Sequence, residues 1–202
     1  MTEIMKAIME RRAVKRFDPA HRIADADLRA ILDAGMHAPT AFNIQHWRFC
    51  VVRDPAQRAR IAEVAWNQPQ ITECSALIVL CADFKAWKGG AARYWAGTPQ
   101  AMYDKYAAMI PGFYEGHEHL QRDEGVRSCG MAAYAIMLAA AAHGLQSCPM
   151  DGFDFAQVGK VINLPEHHEV VMFVAIGKGA APPPPRGPRL AFEDVVVENS
   201  FH

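Results

Sequence analysis

Arg11-Arg12-Ala13-Val14-Lys15-Arg16-Phe17-Asp18 is the stretch that organises the chain. Four of its eight residues are cations, yet the 202-residue chain holds 21 basic and 22 acidic groups and a net charge of −1. Just upstream, Ile4, Ala7, Ile8 and Arg11 share one helical face. The pattern predicts a short helix ending near Arg12, where cations meet the negative end of its dipole. Two readings stay open: the cations finish a surface helix, or they gather on an anion. For the second, Phe17 is a large apolar residue in a polar segment, and Asp18-Pro19 ends it with a turn signal. Arg11, Arg12 and Lys15 can converge on one polyanion, and guanidinium forks match phosphate oxygens.

Working outward, the composition is that of an ordinary globular protein, 51% hydrophobic and 21% charged. A near-neutral chain lacks the dominant basic face of a nucleic-acid binder. The start, Met1-Thr2-Glu3-Ile4, has no signal-peptide core, and the expectation is a cytoplasmic protein without membrane attachment. Cys50, Cys74, Cys81, Cys129 and Cys148 are odd in number and scattered, so they read as reduced, mostly buried thiols. His117 and His119 have no identifiable third ligand, and no metal site is expected.

Along the chain, Asp25 is expected to cap a helix that stops at Gly35. The irregular segment 38–47 leads into a buried strand at 49–52. Asp54-Pro55 opens a helix carrying Ile61 and Val64. Residues 76–82 have no polar alternation and read as a fully buried strand. Between about 84 and 124 lie Trp87, Tyr94, Trp95, Tyr103, Tyr106, Phe113 and Tyr114. Gly89-Gly90 and Pro111-Gly112 break this region, with a helix at about 100–109. Residues 128–142 are uncharged and too few to span a bilayer, which predicts a helix buried in a core or interface. Asp154 opens another helix, 170–176 is a strand, 182–185 an extended linker, and 194–198 a further strand needing a sheet to join. No repeat or domain boundary is evident, so 1–202 reads as one domain with an aromatic lid-like insertion at about 84–124.

The order of several motifs resembles the nitroreductase family of FMN-dependent NAD(P)H oxidoreductases. They are the basic stretch, Ala38-Pro39-Thr40-Ala41-x-Asn43-x-Gln45-x-Trp47, Asn67-Gln68-x-Gln70, the small-residue helix from Gly130, Gly144-Leu145-x-Ser147-x-Pro149-Met150-x-Gly152-Phe153, Ile176-Gly177 and residues 186–189. No Rossmann glycine fingerprint or P-loop competes. The resemblance implies an α+β fold, with a central, mostly antiparallel sheet flanked by helices, in an intertwined homodimer with two FMN sites at its interface. Arg11, Arg12, Ala13, Arg186 and Arg189 would lie at the phosphate and ribityl chain. Lys15, Asn67 and Gln70 would lie at the pyrimidine edge, where Lys15 offsets negative charge on the reduced ring. Pro149, Met150, Asp151 and Gly152 would lie against the ring, with Gly152 allowing close approach. Pro39, Thr40, Ala41 and Asn43 would come from the partner subunit.

The implied activity passes electrons from NADH or NADPH to a nitroaromatic, quinone or similar planar acceptor by a ping-pong route. No side chain need act as acid or base, because the cofactor carries the chemistry. Ala13, Asp151 and Gly187 depart from residues common in the family, which bears on substrate and cofactor preference. A non-catalytic flavin redox sensor and another flavin reaction, such as reductive dehalogenation, are the alternatives. The aromatic segment is expected to set acceptor preference, and Arg16 to point to solvent.

Overall fold

The apolar run 76–82 lacks polar alternation because helices cover both faces of the strand it forms. The computed structural model describes residues 1–201. Its elements are α1 (Glu3–Glu10), α2 (Asp25–Met36), β1 (Trp47–Val52), α3 (Pro55–Glu63), α4 (Pro69–Glu73), β2 (Ala76–Asp83), α5 (Gly90–Tyr94), α6 (Gln100–Tyr114), α7 (Glu118–Ala142), β3 (Gln146–Met150), α8 (Phe155–Val161), β4 (His168–Gly177) and α9 (Phe192–Val195). The sheet order is β1-β2-β4-β3 with every neighbouring pair antiparallel, the α+β architecture that the sequence implied.

Side chains alternate across β2. Leu77, Val79 and Cys81 pack with Ile61, Ile71, Val158 and Phe173, under α3, α4 and α8. Ile78, Leu80 and Ala82 pack with Leu28, Ile31, Ile136 and Ala140, under α2 and α7. A third, smaller cluster joins Ile44, Ala86, Trp87, Ile110 and Tyr114 beneath the aromatic segment.

Several boundaries differ from expectation, each for a local reason. Asp25 is the first residue of α2, and Ala24 holds the cap position without a side-chain bond. Gly35 does not stop α2. It lies buried inside the helix, where an added Cβ would fall 2.6 Å from Ile136 Cγ1, so its role is the close approach of α7. The helix expected at 100–109 continues through Pro111 to Tyr114. The uncharged helix expected at 128–142 is the C-terminal part of α7, which begins at Glu118. By length and composition α7 could cross a membrane, but one face packs on the sheet through Cys129, Ala132, Ala133, Ile136 and Ala140. Its other face leaves Met131 and Tyr134 open.

Two strand expectations also change. Gln146–Met150 is a strand that the sequence reading missed, because Pro149 cannot donate to a ladder; it is tolerated because β3 is the last strand of the sheet. The strand expected at 194–198 is absent. Residues 192–195 form the short helix α9, and Val195, Val196 and Val197 are exposed with no sheet partner. A valine run forms a strand only where an edge receives it.

Candidate functional site

The basic stretch makes isolated bridges to β3 and to the segment that follows β4. Val14 N–H donates to Ser147 O at 3.1 Å, Asp18 N–H to Lys178 O at 2.8 Å, and Ala180 N–H to Arg16 O at 3.0 Å. Val14 and Phe17 are buried in the core, which explains the large apolar residue in a polar segment. The intervening cations are thereby held on a fixed backbone.

The helix-finishing reading holds for one of those cations. Arg12 Nη1 donates to the carbonyls of Met9, Glu10 and Arg11 at 3.0–3.1 Å, finishing α1 as a helix-capping cation does. Arg186 Nη2 reaches the carbonyls of Met9 at 2.9 Å and Arg11 at 2.7 Å, tying the tail to the same corner. Arg11 differs: its Nε and Nη1 are buried and have no partner. Partial desolvation, then the charges of Arg12, Arg189 and Arg11, push the Arg186 guanidinium below its ordinary basicity. Among the described residues none of these four arginines makes an ion pair. Arg16 faces solvent as expected, its side chain 64% exposed, and pairs there with Glu73 at 2.8 Å, which also accepts from Phe17 N–H.

Ala13 packs on the core and bridges to Ser147, while Lys15 is an exposed residue whose ammonium turns toward the same strand. Lys15 Nζ lies 3.7 Å from Cys148 Sγ, and the buried Gln70 side chain lies near the same thiol. Burial pushes the Cys148 thiol up, against Lys15 and Gln70, which pull it down. Asn67 is exposed beside them, in a left-handed conformation (φ 51°). Pro149 and Met150 end β3, and exposed Asp151 and then Gly152 follow. Gly152 O accepts from Gln68 Nε2 at 2.6 Å. A Cβ on Gly152 would fall 2.6 Å from Trp66 Cζ3, so any side chain here would have to displace the exposed Trp66 ring.

Pro39, Thr40, Ala41 and Asn43 lie on the loop between α2 and β1. Among the described residues no hydrogen bond links this loop to Arg11, Lys15 or residues 149–152. Thr40 Oγ1 is engaged by Ser128 Oγ at 3.1 Å, Gln45 N–H at 3.3 Å and His46 Nδ1 at 3.4 Å. Asn43 Nδ2 donates to Tyr94 O at 3.0 Å. The expected residues thus form two groups: the arginines, Lys15, Gln70 and 149–152 around β3, and the 39–43 loop on its own support.

Arg11, Arg12 and Arg186 are partly exposed and Arg189 is exposed, and together with Lys15 they give the β3 edge an arrangement that suits a phosphorylated ligand. The profile of the Nitroreductase family matches residues 8–178. The chain belongs to the nitroreductase family. Protein DrgA of Synechocystis is 46% identical over 172 residues, covering 85% of this chain and 82% of DrgA. A Thermus thermophilus protein named NADH dehydrogenase is 33% identical over 202 residues, covering 95% and 93%. A crystal structure from Exiguobacterium sibiricum, in complex with FMN, superposes with a TM-score of 0.88 at 28% identity, covering 98% and 97%.

Sequence reasoning about this nitroreductase passed over three residues of the area. Trp66 is 73% exposed, with φ 56°, and its ring edge meets Gly152. Cys148 sits between Lys15 and Gln70. His46 is fully buried, and nothing in its spacing marks it. Burial pushes the His46 imidazole down to about 4; Asp83 draws it upward and Arg48 pushes it down. An unfolded chain would protonate His46 near its ordinary value of about 6.5. The stability held by neutral His46 is therefore full above that value and is lost as pH falls through the folded value. Between pH 7 and 4 the loss from this residue should be about 3 kcal/mol. Urea unfolding at several pH values checks this: His46→Asn should flatten the acid decline, and an unchanged slope would count against it.

Proposed function

We propose that this nitroreductase-family chain is an FMN-dependent oxidoreductase that oxidises NADH or NADPH and works as a homodimer. The observation that carries the reading is the Arg11 guanidinium, whose buried Nε and Nη1 have no partner in the chain. Burying donors on a cation without acceptors is costly. A phosphate dianion supplies those acceptors and offsets the mutual repulsion of Arg11, Arg12, Arg186 and Arg189. The terminal phosphate of FMN fits this corner, and a structural relative at 28% identity holds FMN.

In this reading Lys15, steadied against Cys148, presents its charge to one edge of the ring, with Asn67 and Gln70 beside it. The backbone of 149–152 lies against the ring, and Gln68 fixes that backbone through Gly152 O. Bound FMN supplies the redox chemistry, taking hydride from the nicotinamide and passing electrons to a planar acceptor such as a nitroaromatic or quinone. Residues 39–43 meet the FMN of a second copy, and the open face of α7 with the exposed tail forms the interface. Met131, Tyr134, Phe192 and Val195 would then be covered.

Nicotinamide and acceptor would use one slot in succession, because two planar molecules cannot lie on the same ring face. The test is anaerobic. NADH or NADPH should bleach the yellow protein, a quinone should restore its colour, and initial-rate plots at several acceptor concentrations should be parallel. Intersecting lines would indicate a second site, and a colour that no nicotinamide bleaches would leave a non-catalytic flavoprotein.

A further inference from the structure

We propose that His46 is a positioning residue: through Thr40 it fixes the 39–43 loop in the form that the second subunit's FMN meets. The inference rests on the dimeric FMN reading above.

The loop does not hold its own shape. Phe42, Asn43 and Gln45 all have positive φ, at 51°, 57° and 54°, and none is glycine. Such conformations persist only where surrounding contacts impose them. The aromatic segment supplies two, because Trp95 Nε1–H donates to Phe42 O at 2.9 Å and Asn43 Nδ2 to Tyr94 O. The third is the Thr40 hydroxyl, which has one proton and two acceptor positions. Gln45 N–H, Ser128 Oγ and His46 Nδ1 use all three. The hydroxyl is therefore spent inside its own chain, and the loop offers a ligand its backbone and the Thr40 methyl.

His46 is the rigid end of this set. Asp83 N–H donates to its carbonyl at 2.9 Å, just before the β1–β2 pairing begins, and its ring packs against Tyr114 with centroids 5.8 Å apart. The imidazole is fully buried, its Nε2 has no partner, and Thr40 is the ring's sole hydrogen-bond partner among the described residues. If filling space were its role, leucine would serve without an unpaired nitrogen. The Nδ1–Thr40 bond is what an imidazole adds. The charged groups near the ring, Asp83 and Arg48, bond to each other at 2.7 Å.

The experiment measures the FMN dissociation constant, from the fluorescence of free FMN, and the thermal midpoint of the FMN-free protein. His46→Leu should raise the constant about tenfold, the loss of one positioning hydrogen bond. His46→Asn, whose amide can occupy the Nδ1 position, should stay within about threefold of wild type. Thr40→Val should resemble His46→Leu, and the double variant should be no worse than either single one, since both remove one bond. If His46→Leu does not fold, His46→Gln replaces it, because its amide reaches the Nε2 position and misses Thr40. A lowered midpoint with an unchanged dissociation constant would overturn the inference, as would additive effects in the double variant. A wild-type protein that ignores FMN would overturn both this inference and the function. Wild-type binding that His46→Leu leaves intact would overturn this inference alone.

Discussion

Arg11→Glu should raise the FMN dissociation constant on the order of a thousandfold while leaving the FMN-free protein as stable as before, or more so. The lost charge-assisted bond is worth about 1.5–3 kcal/mol, and a carboxylate facing phosphate adds repulsion of similar size. Each 1.4 kcal/mol is about tenfold in affinity. Stability runs the other way. Without ligand, Arg11 contributes unpartnered buried donors to a corner that already holds Arg12, Arg186 and Arg189. A glutamate there would be attracted to the other three. Arg16→Gln is the control, because Arg16 is occupied by Glu73 and should change the constant by less than about threefold. Titration of apoprotein with FMN, beside thermal melts without it, gives both numbers. FMN binding that survives Arg11→Glu would remove the phosphate assignment.

Much of the fold was legible wherever a local pattern had a single physical outcome. Asp54-Pro55 and Asp154 open helices, and each side chain accepts an N–H three residues on, as their spacing requires. The unalternating run 76–82 required cover on both faces and has it. Reading failed where the outcome depended on something distant. Gly35 looked like a helix stop because a glycine's local preference is visible, whereas the approach of Ile136 from a helix a hundred residues away is not. Pro149 hid β3 because the sequence does not say which strand lies at an edge. The valines at 195–197 suggested a strand whose receiving edge this chain does not provide.

The candidate site divides in the same way. The arginines were legible because clustered charge on a neutral chain asks for a counter-charge. Which of them was free was not, since Arg12 and Arg186 spend donors on α1 carbonyls while Arg11 spends none on Nε or Nη1. The aromatic segment was expected to tune acceptor choice. Trp95 donates to the 39–43 loop and the Tyr94 carbonyl accepts from it, a supporting role that no composition could reveal.

Phe173→Ala should cost about 3–5 kcal/mol of stability, the range for deleting a buried aromatic ring that leaves a cavity. Phe173 is fully buried at the middle of β4, opposite Val79 on one side and Met150 on the other. Its ring stacks on Phe153 with centroids 3.9 Å apart and planes 8° from parallel. Phe153 follows Gly152 directly, so the cavity would open beneath the backbone proposed to bear the flavin. A domain of this kind has only about 5–15 kcal/mol in hand, and the variant should be marginal. Urea unfolding should show a lower midpoint with an unchanged slope, measured at one protein concentration without FMN, because dimerisation and ligand both shift the midpoint. FMN affinity should fall as well, since residues 149–152 lose their footing. This contrast separates the two variants: Arg11→Glu removes binding without destabilising, whereas Phe173→Ala does both. A loss below about 1 kcal/mol would mean that the strand closes over the gap, and that the Phe153–Phe173 stack does not support the site.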